Sequence, residues 1–315
     1  MTTLTTATGT STLKTLRLGH SPDPDDAFMW WPLANFTLQD GTALTPRIDT
    51  AGFEFVHVLE DIQSLNTRAE QAELEITAIS IHQYPYVARD YALTSCGASM
   101  GENYGPMIVA PQTAPGTVSG GIADPAALKG KRLAIPGERT TAWLTTQLLL
   151  HEHGLSAGDL DWEVVAFDEI IPAVADGRFD AGVIIHEGQL TYARHDLALV
   201  RDLGAWWGET RGLPLPLGGN AIRRDLGELM PTVCRVLLDS IHHALAHRGE
   251  AIDFALHYAR GMGKDLADEF VGMYVNERTL HYGETGQRAV NRLFQDAAAA
   301  GLIPDIGEVD FVEPA

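Results

Sequence analysis

Short apolar strands and amphipathic helices alternate along the first part of this chain. Leu16–Leu18 reads as a strand running into the polar, proline-stiffened loop Gly19–Asp26, with Asp25 or Asp26 placed to cap a helix through Trp31. Phe53–Val58 reads as a second strand. Asp61 opens a helix whose apolar residues Ile62, Leu65, Ala69 and Ala72 follow helical spacing, and Glu75–Ile79 and Tyr91–Ser95 return to strands. Lys131–Pro136, a helix from Ala142 to His153, a helix around Asp168–Asp176 and the strand Ala181–Ile185 continue the alternation. Such repetition predicts α/β architecture with mostly parallel sheets flanked by helices, because a parallel connection needs a helix-length crossover. Ligands of these sheets sit beyond the carboxyl ends of the strands. Three polar segments hold that position: His20–Asp26, Ser80–His82 and His186–Gln189.

Two stretches rich in Gly and Pro interrupt the pattern. One runs from Met100 to Pro106, then through the strand Met107–Ala110 into Pro111–Gly121; the other is Gly212–Asn220. After the second come helices only, at Met230–His247, Ala251–Tyr258, Leu266–Val275 and Thr285–Ala299. A length of 315 residues suits two domains. Two crossovers predict a two-lobed clamp: a flexible tail at 1–15, a larger lobe from 16–107 and 208–315, a smaller lobe from 108–207, and a ligand cleft between them.

The charge balance narrows the partners. There are 22 basic and 42 acidic residues, a formal net of −20, and only four of the basic residues are lysines. Such a field repels phosphate backbones and anionic membranes, so neither nucleic acid nor membrane is expected as a partner. A small anionic ligand remains admissible, because a local site can oppose the global sign. Met1–Thr15 has no basic segment followed by an apolar run, and no stretch approaches a membrane span. Cys96 and Cys234 are far apart and match no metal or redox motif. A reduced, cytoplasmic protein is therefore expected. Trp206-Trp207 and Met230 suit a dimer surface as well as a core, which leaves a homodimer open.

Several segments invite chemistry. Gly97-Ala98-Ser99-Met100-Gly101 matches G-x-S-x-G, but a nucleophile elbow needs a helix directly after it, and Glu102–Pro106 cannot readily start one. A lobe-crossing hinge fits better. His243 and His247 have a zinc-ligand spacing, yet Ala244 stands where a catalytic Glu would, and no third ligand is near. Asp23, Asp25 and Asp26 lack calcium-loop spacing, so no metal is expected. Thr140 and Thr141 precede the apolar helix Trp143–Leu150, whose open amides suit a carboxylate, although plain N-capping explains the same residues equally well. His186 ends an apolar strand and precedes Glu187; it is placed either as a neutral base or as a core histidine bonded to backbone.

Taken together, six segments resemble one family. Ser21-Pro22-Asp23-Pro24-Asp25-Asp26-Ala27-Phe28, Ile76–Ser80, Gly101–Pro106, Ile135-Pro136-Gly137 with Thr140-Thr141-Ala142, Ile185-His186-Glu187 and Leu213–Asn220 are similar, in this order, to the 1,4-dihydroxy-6-naphthoate synthases of the futalosine route to menaquinone. The resemblance covers almost everything from Leu16 onward. It implies a periplasmic-binding-protein-like (type II) clamp and a cytoplasmic lyase without cofactor or metal. Its expected reaction splits cyclic dehypoxanthine futalosine into 1,4-dihydroxy-6-naphthoate and a three-carbon fragment. The family's catalytic histidine maps onto His186, and its substrate-binding positions onto Asp26, Ser80, His82, Thr140, Thr141, Gly218 and Asn220. Asp23 and Asp25 stand where many members carry Cys and Asn. The expected substrate is a carboxylate, so local amides, hydroxyls and an arginine such as Arg139 are expected to capture it. Trp30, Tyr104 or Trp207 offers a face for a bicyclic ring, with core packing the stronger expectation for each. The alternatives that share this fold are chorismate dehydratase and a non-catalytic solute-binding protein.

Overall fold

The computed structural model describes residues 13–114, 117–118, 122, 124–258 and 263–315. The first strands are β1 (Lys14–His20), β2 (Phe53–Leu59), β3 (Ile76–Ser80), β4 (Tyr91–Thr94) and β5 (Ser99–Gly101). Then come β6 (Met107–Ala114), β7 (Thr117–Val118), β8 (Arg132–Ile135), β9 (Asp161–Val164), β10 (Ala181–Ile184) and β11 (Leu197–Asp202). The last are β12 (Leu215–Arg223) and β13 (Phe311–Val312). They form two sheets. One has the order β13-β4-β12-β3-β1-β2 with β5 beside β12, and the other β11-β6-β10-β8-β9 with β7 beside β6. The chain leaves the first sheet after β5 and returns to it with β12, which makes the two-lobed clamp.

The sheets are mixed, which corrects the expectation of mostly parallel ones. β1 runs parallel to β2 and β3, and β8 to β9 and β10. But β12 is antiparallel to β3, β4 and β5, and β6 to β10 and β11. The strands that carry the chain across insert into the middle of the sheet they enter and oppose both neighbours. Period alone carries no direction for an inserted strand. Gly218, Gly219 and Asn220 accordingly lie inside β12 rather than in a returning loop.

The first crossover depends on close backbone approach. A Cβ on Gly101 would sit 1.8 Å from the Tyr104 carbonyl oxygen, and one on Gly204 1.9 Å from the same atom. Ser99 is in β5 and the next element is β6, not a helix, so the nucleophile elbow does not form. β1 begins at Lys14, inside the expected tail; positions 1–12 lie outside the described residues, as do 115–116 and 119–121 of the Pro/Gly-rich stretch.

Burial explains the remaining elements. Leu16, Leu18, Phe28 and Trp30 pack with Val233, Leu237 and Ile241 of the helix Met230–Ala246, all of them essentially inaccessible. Trp206 and Trp207 are buried too, and the Trp207 Nε1–H donates to the Pro214 carbonyl at 3.1 Å, so this pair belongs to the core rather than to a dimer surface. In the first lobe the buried Cys96 and Cys234 bring their sulfurs to 4.0 Å, and Cys234 Sγ donates to the Val312 carbonyl. Among the described residues no helix is long and apolar enough to cross a membrane.

Candidate active site

A cavity of about 790 Å³, counting the part open to solvent, lies between the two sheets. That is within the range of small-molecule sites. Its walls come from Ser21, Asp25, Asp26, Ser80 and Gly218–Asn220 on one side and from Thr140–Ala142, His186 and Gln189 on the other.

The loop after β1 supplies the acids. Pro24 opens the helix Pro24–Trp30, so Asp23 holds the N-cap position, and Asp25 and Asp26 lie in the first turn instead of capping it. Ser21 stitches the loop: its N–H donates to Asp26 Oδ2 at 2.8 Å, and its Oγ accepts from the Asp23 N–H at 3.2 Å. Burial pushes Asp26 up to about 6, although the Ser21 hydrogen bonds pull the other way. Burial, with the charges of Asp26 and Asp23, pushes Asp25 well above the usual carboxylate range. Behind the loop, His20 Nδ1 meets the Ser21 carbonyl at 2.8 Å, and its Nε2 meets His57 Nδ1 at 2.9 Å. Burial holds both imidazoles neutral, down to about 3 and about 4.

His186 follows β10 by two residues and adopts φ of +53°, a left-handed conformation uncommon for a residue with a Cβ. Its ring takes an edge contact from Phe167 at 4.9 Å. Its Nε2 lies 3.4 Å from Asp23 Oδ2, with the two side chains 20% and 4% exposed. This contact joins the lobes.

The threonines do less than their hydroxyls suggest. Thr140 is the N-cap of the helix Thr141–Glu152: its Oγ1 accepts from the Trp143 N–H at 3.2 Å and donates to the Gly137 carbonyl at 2.8 Å. Thr141 Oγ1 donates to the Leu217 carbonyl at 2.6 Å and accepts from the His82 N–H at 3.2 Å. The backbone N–H groups of Thr141 and Ala142 have no acceptor among the described residues, and both residues line the cavity. The amides, rather than the hydroxyls, are thus the open donors at this helix start.

Other expected positions divide. Ser80 lines the cavity and is held by Asn66, which donates from Nδ2 to Ser80 Oγ at 3.1 Å and accepts the Ser80 N–H at 2.9 Å. Gly218 and Asn220 pair with Ser80 and Ala78 across β12 and β3; Asn220 Nδ2 donates to the Gly97 carbonyl at 2.9 Å, and its buried Oδ1 has no partner among the described residues. His82 is off the cavity wall. Its Nδ1 contacts the Thr140 carbonyl at 3.0 Å, and burial lowers it to about 4, so it ties one lobe to the other. Arg139 also lies elsewhere, stacked over the Tyr86 ring at 3.7 Å and facing Glu70. No Arg or Lys lines the cavity among the described residues, and Trp30, Tyr104 and Trp207 do not line it either. Sequence reasoning missed Asn66 and Tyr274 and reached Gln189 only as the end of a polar segment; the Tyr274 hydroxyl donates to Gln189 Oε1 at 3.0 Å across the cleft. Among the described residues no group of three or more His, Cys, Asp or Glu could hold a metal ion.

A cleft between two mixed sheets joined by two crossovers defines a clamp of the periplasmic-binding-protein fold. The alkanesulfonate-binding protein of Xanthomonas axonopodis pv. citri matches it with a TM-score of 0.62 over 92% of this chain and 94% of that one; at 14% identity it speaks for the fold alone. A crystal structure from Archaeoglobus fulgidus matches at TM-score 0.76 and 40% identity, over 92% of this chain and 98% of that one. The model of a menaquinone-biosynthesis family matches residues 16–299. Proteins named 1,4-dihydroxy-6-naphthoate synthase are 38% identical in Thermus thermophilus and 34% in Streptomyces coelicolor, over 92% and 93% of this chain and 96% of each relative. The chain belongs to this menaquinone-biosynthesis family and is an enzyme of that pathway.

Proposed function

We propose that the enzyme is a carbon–carbon lyase acting on cyclic dehypoxanthine futalosine to give 1,4-dihydroxy-6-naphthoate, in the cytoplasm and without a cofactor. His186 takes the proton that starts the cleavage. The observation that carries this reading is the placement of His186 in a left-handed turn at the end of β10, on the cavity wall opposite the acid loop. The open Thr141 and Ala142 amides suit the substrate carboxylate, and the helix dipole behind them adds to their pull. Among the described residues no cation lines the wall, and Asp25, whose burial disfavours its ionised form, opposes an anion less than an ordinary carboxylate would. Ser80 and Asn220 offer further polar contacts. Gain of a naphthalene diol supplies driving force, so positioning and one base suffice. In this reading the lobes divide near 107/108 and 207/208 and close over the substrate.

The test incubates purified protein with cyclic dehypoxanthine futalosine and, separately, with chorismate, and follows the naphthoate chromophore. His186→Ala is expected to fold normally and to lose about 10²–10⁴-fold in turnover. Unchanged turnover removes His186 from the role of base; consumption of chorismate alone overturns the substrate.

A further inference from the structure

We propose that Asp23 is a positioning residue for His186, fixing which ring nitrogen carries the proton, and that the pair is complete only when the lobes are together. This rests on the reading of His186 as base and adds its partner.

The N-cap position makes the argument. Asp61 occupies the same position on its helix and spends its carboxylate there, accepting from the Gln63 and Ser64 N–H groups at 3.0 and 3.1 Å. Asp23 has the same extended backbone, with φ of −68° and ψ of 152°, but makes no cap bond. Its carboxylate instead faces Nε2 of His186 at 3.4 Å, although the helix start lies next to it in the chain. Its own N–H is held separately, by Ser21 Oγ. A carboxylate 4% exposed that makes no cap bond at its own helix start and lies against an imidazole on the opposite sheet is placed to orient that imidazole.

The chemistry follows from the geometry. A carboxylate beside Nε2 favours the tautomer with hydrogen on Nε2, which leaves the lone pair on Nδ1. When Nδ1 takes a proton from substrate carbon, the freed C–H pair forms a new carbon–carbon double bond in the ring. The pair of the breaking carbon–carbon bond leaves with the departing fragment, and the imidazolium returns its proton to that fragment. The imidazolium formed then lies against Asp23, while Asp25 and Asp26 lie nearby with their ionised forms disfavoured.

Two variants and two readouts test it. Asp23→Ala is expected to lower kcat about 10–100-fold with KM within about two-fold, as for other partners that orient a catalytic imidazole. Asp23→Asn, which keeps an acceptor for Nε2–H without the charge, is expected to fall between Asp23→Ala and the parent. Independently of turnover, ¹⁵N spectra of histidine-labelled enzyme, with the His186 signals assigned by their loss in His186→Gln, are expected to show the Nε2–H tautomer in the parent and a mixture in Asp23→Ala. A rise in KM at unchanged kcat, or an unaltered tautomer in Asp23→Ala, overturns the proposal. If the enzyme proves inactive on the proposed substrate, the tautomer measurement still decides the pairing.

Discussion

Replacing Asp26 by Asn is expected to stabilise the protein at neutral pH. Asp26 is 9% exposed and its carboxyl moves from an ordinary 3.8 to about 6 on folding. At about 1.36 kcal/mol per unit, the ionised form is disfavoured in the folded state by up to about 3 kcal/mol. Because the folded state binds this proton more tightly, the cost is fully present above about pH 6 and is relieved as pH falls toward 3.8. An Asn carbonyl can still accept the Ser21 N–H, so the loop keeps its stitch. Asp26→Asn should therefore gain about 1–3 kcal/mol at about pH 7.5, with the gain shrinking toward zero near pH 4. Urea unfolding followed by tryptophan fluorescence at three pH values measures this directly. Turnover should fall in the same variant, the usual exchange of stability for activity at a strained site. A variant less stable than the parent at about pH 7.5, or a difference that does not change with pH, refutes the reasoning.

Glu75 shows the opposite sign. Burial pushes it up, but hydrogen bonds from Arg17 and the charges of Arg17 and Arg223 outweigh that and hold it near 2, below its ordinary 4.5. Its stabilisation is present above pH 4.5 and is lost as pH falls toward 2. After discounting for solvent screening, Glu75→Gln should cost about 1–2 kcal/mol at neutral pH, and the gap should close on acidification; a gap constant down to pH 2 contradicts it. Asn66→Ala strands the Ser80 N–H and hydroxyl in a buried site and should cost about 2–4 kcal/mol in urea unfolding, with a loss under about 1 kcal/mol counting against the strut.

Much of the scaffold was readable because it follows local rules. Asp61 caps the helix Ile62–Glu70 as its spacing predicts, and the acid loop and His186 both sit at strand ends, where an α/β sheet puts its ligands. The cap of the first helix was misassigned although its signal was present: Pro24 at the first helical position places the cap at Asp23. Thr140 caps its helix, one of the two readings its spacing allowed, but the roles of Thr141 and His82 were not readable. A motif shows that a hydroxyl and an imidazole are there but not that the Leu217 and Thr140 carbonyls claim them from across the cleft. Asn66 carries no local signal at all, since its partners are 14 and 73 positions away. Arg139 was chosen for its charge, and its stacking on Tyr86 depends on a neighbour distant in sequence.

The two buried sulfurs near β4 have a practical consequence. The chain has two cysteines in all, both in the lobe built on β1–β5, and none between Met107 and Asp202. A thiol reagent added to the unmodified protein reacts only when the packing around Cys96 or the helix Met230–Ala246 comes apart. Its rate therefore counts openings of one half of the clamp and is blind to fraying of the other. The molecule carries a built-in reporter that separates motion within a lobe from motion between lobes.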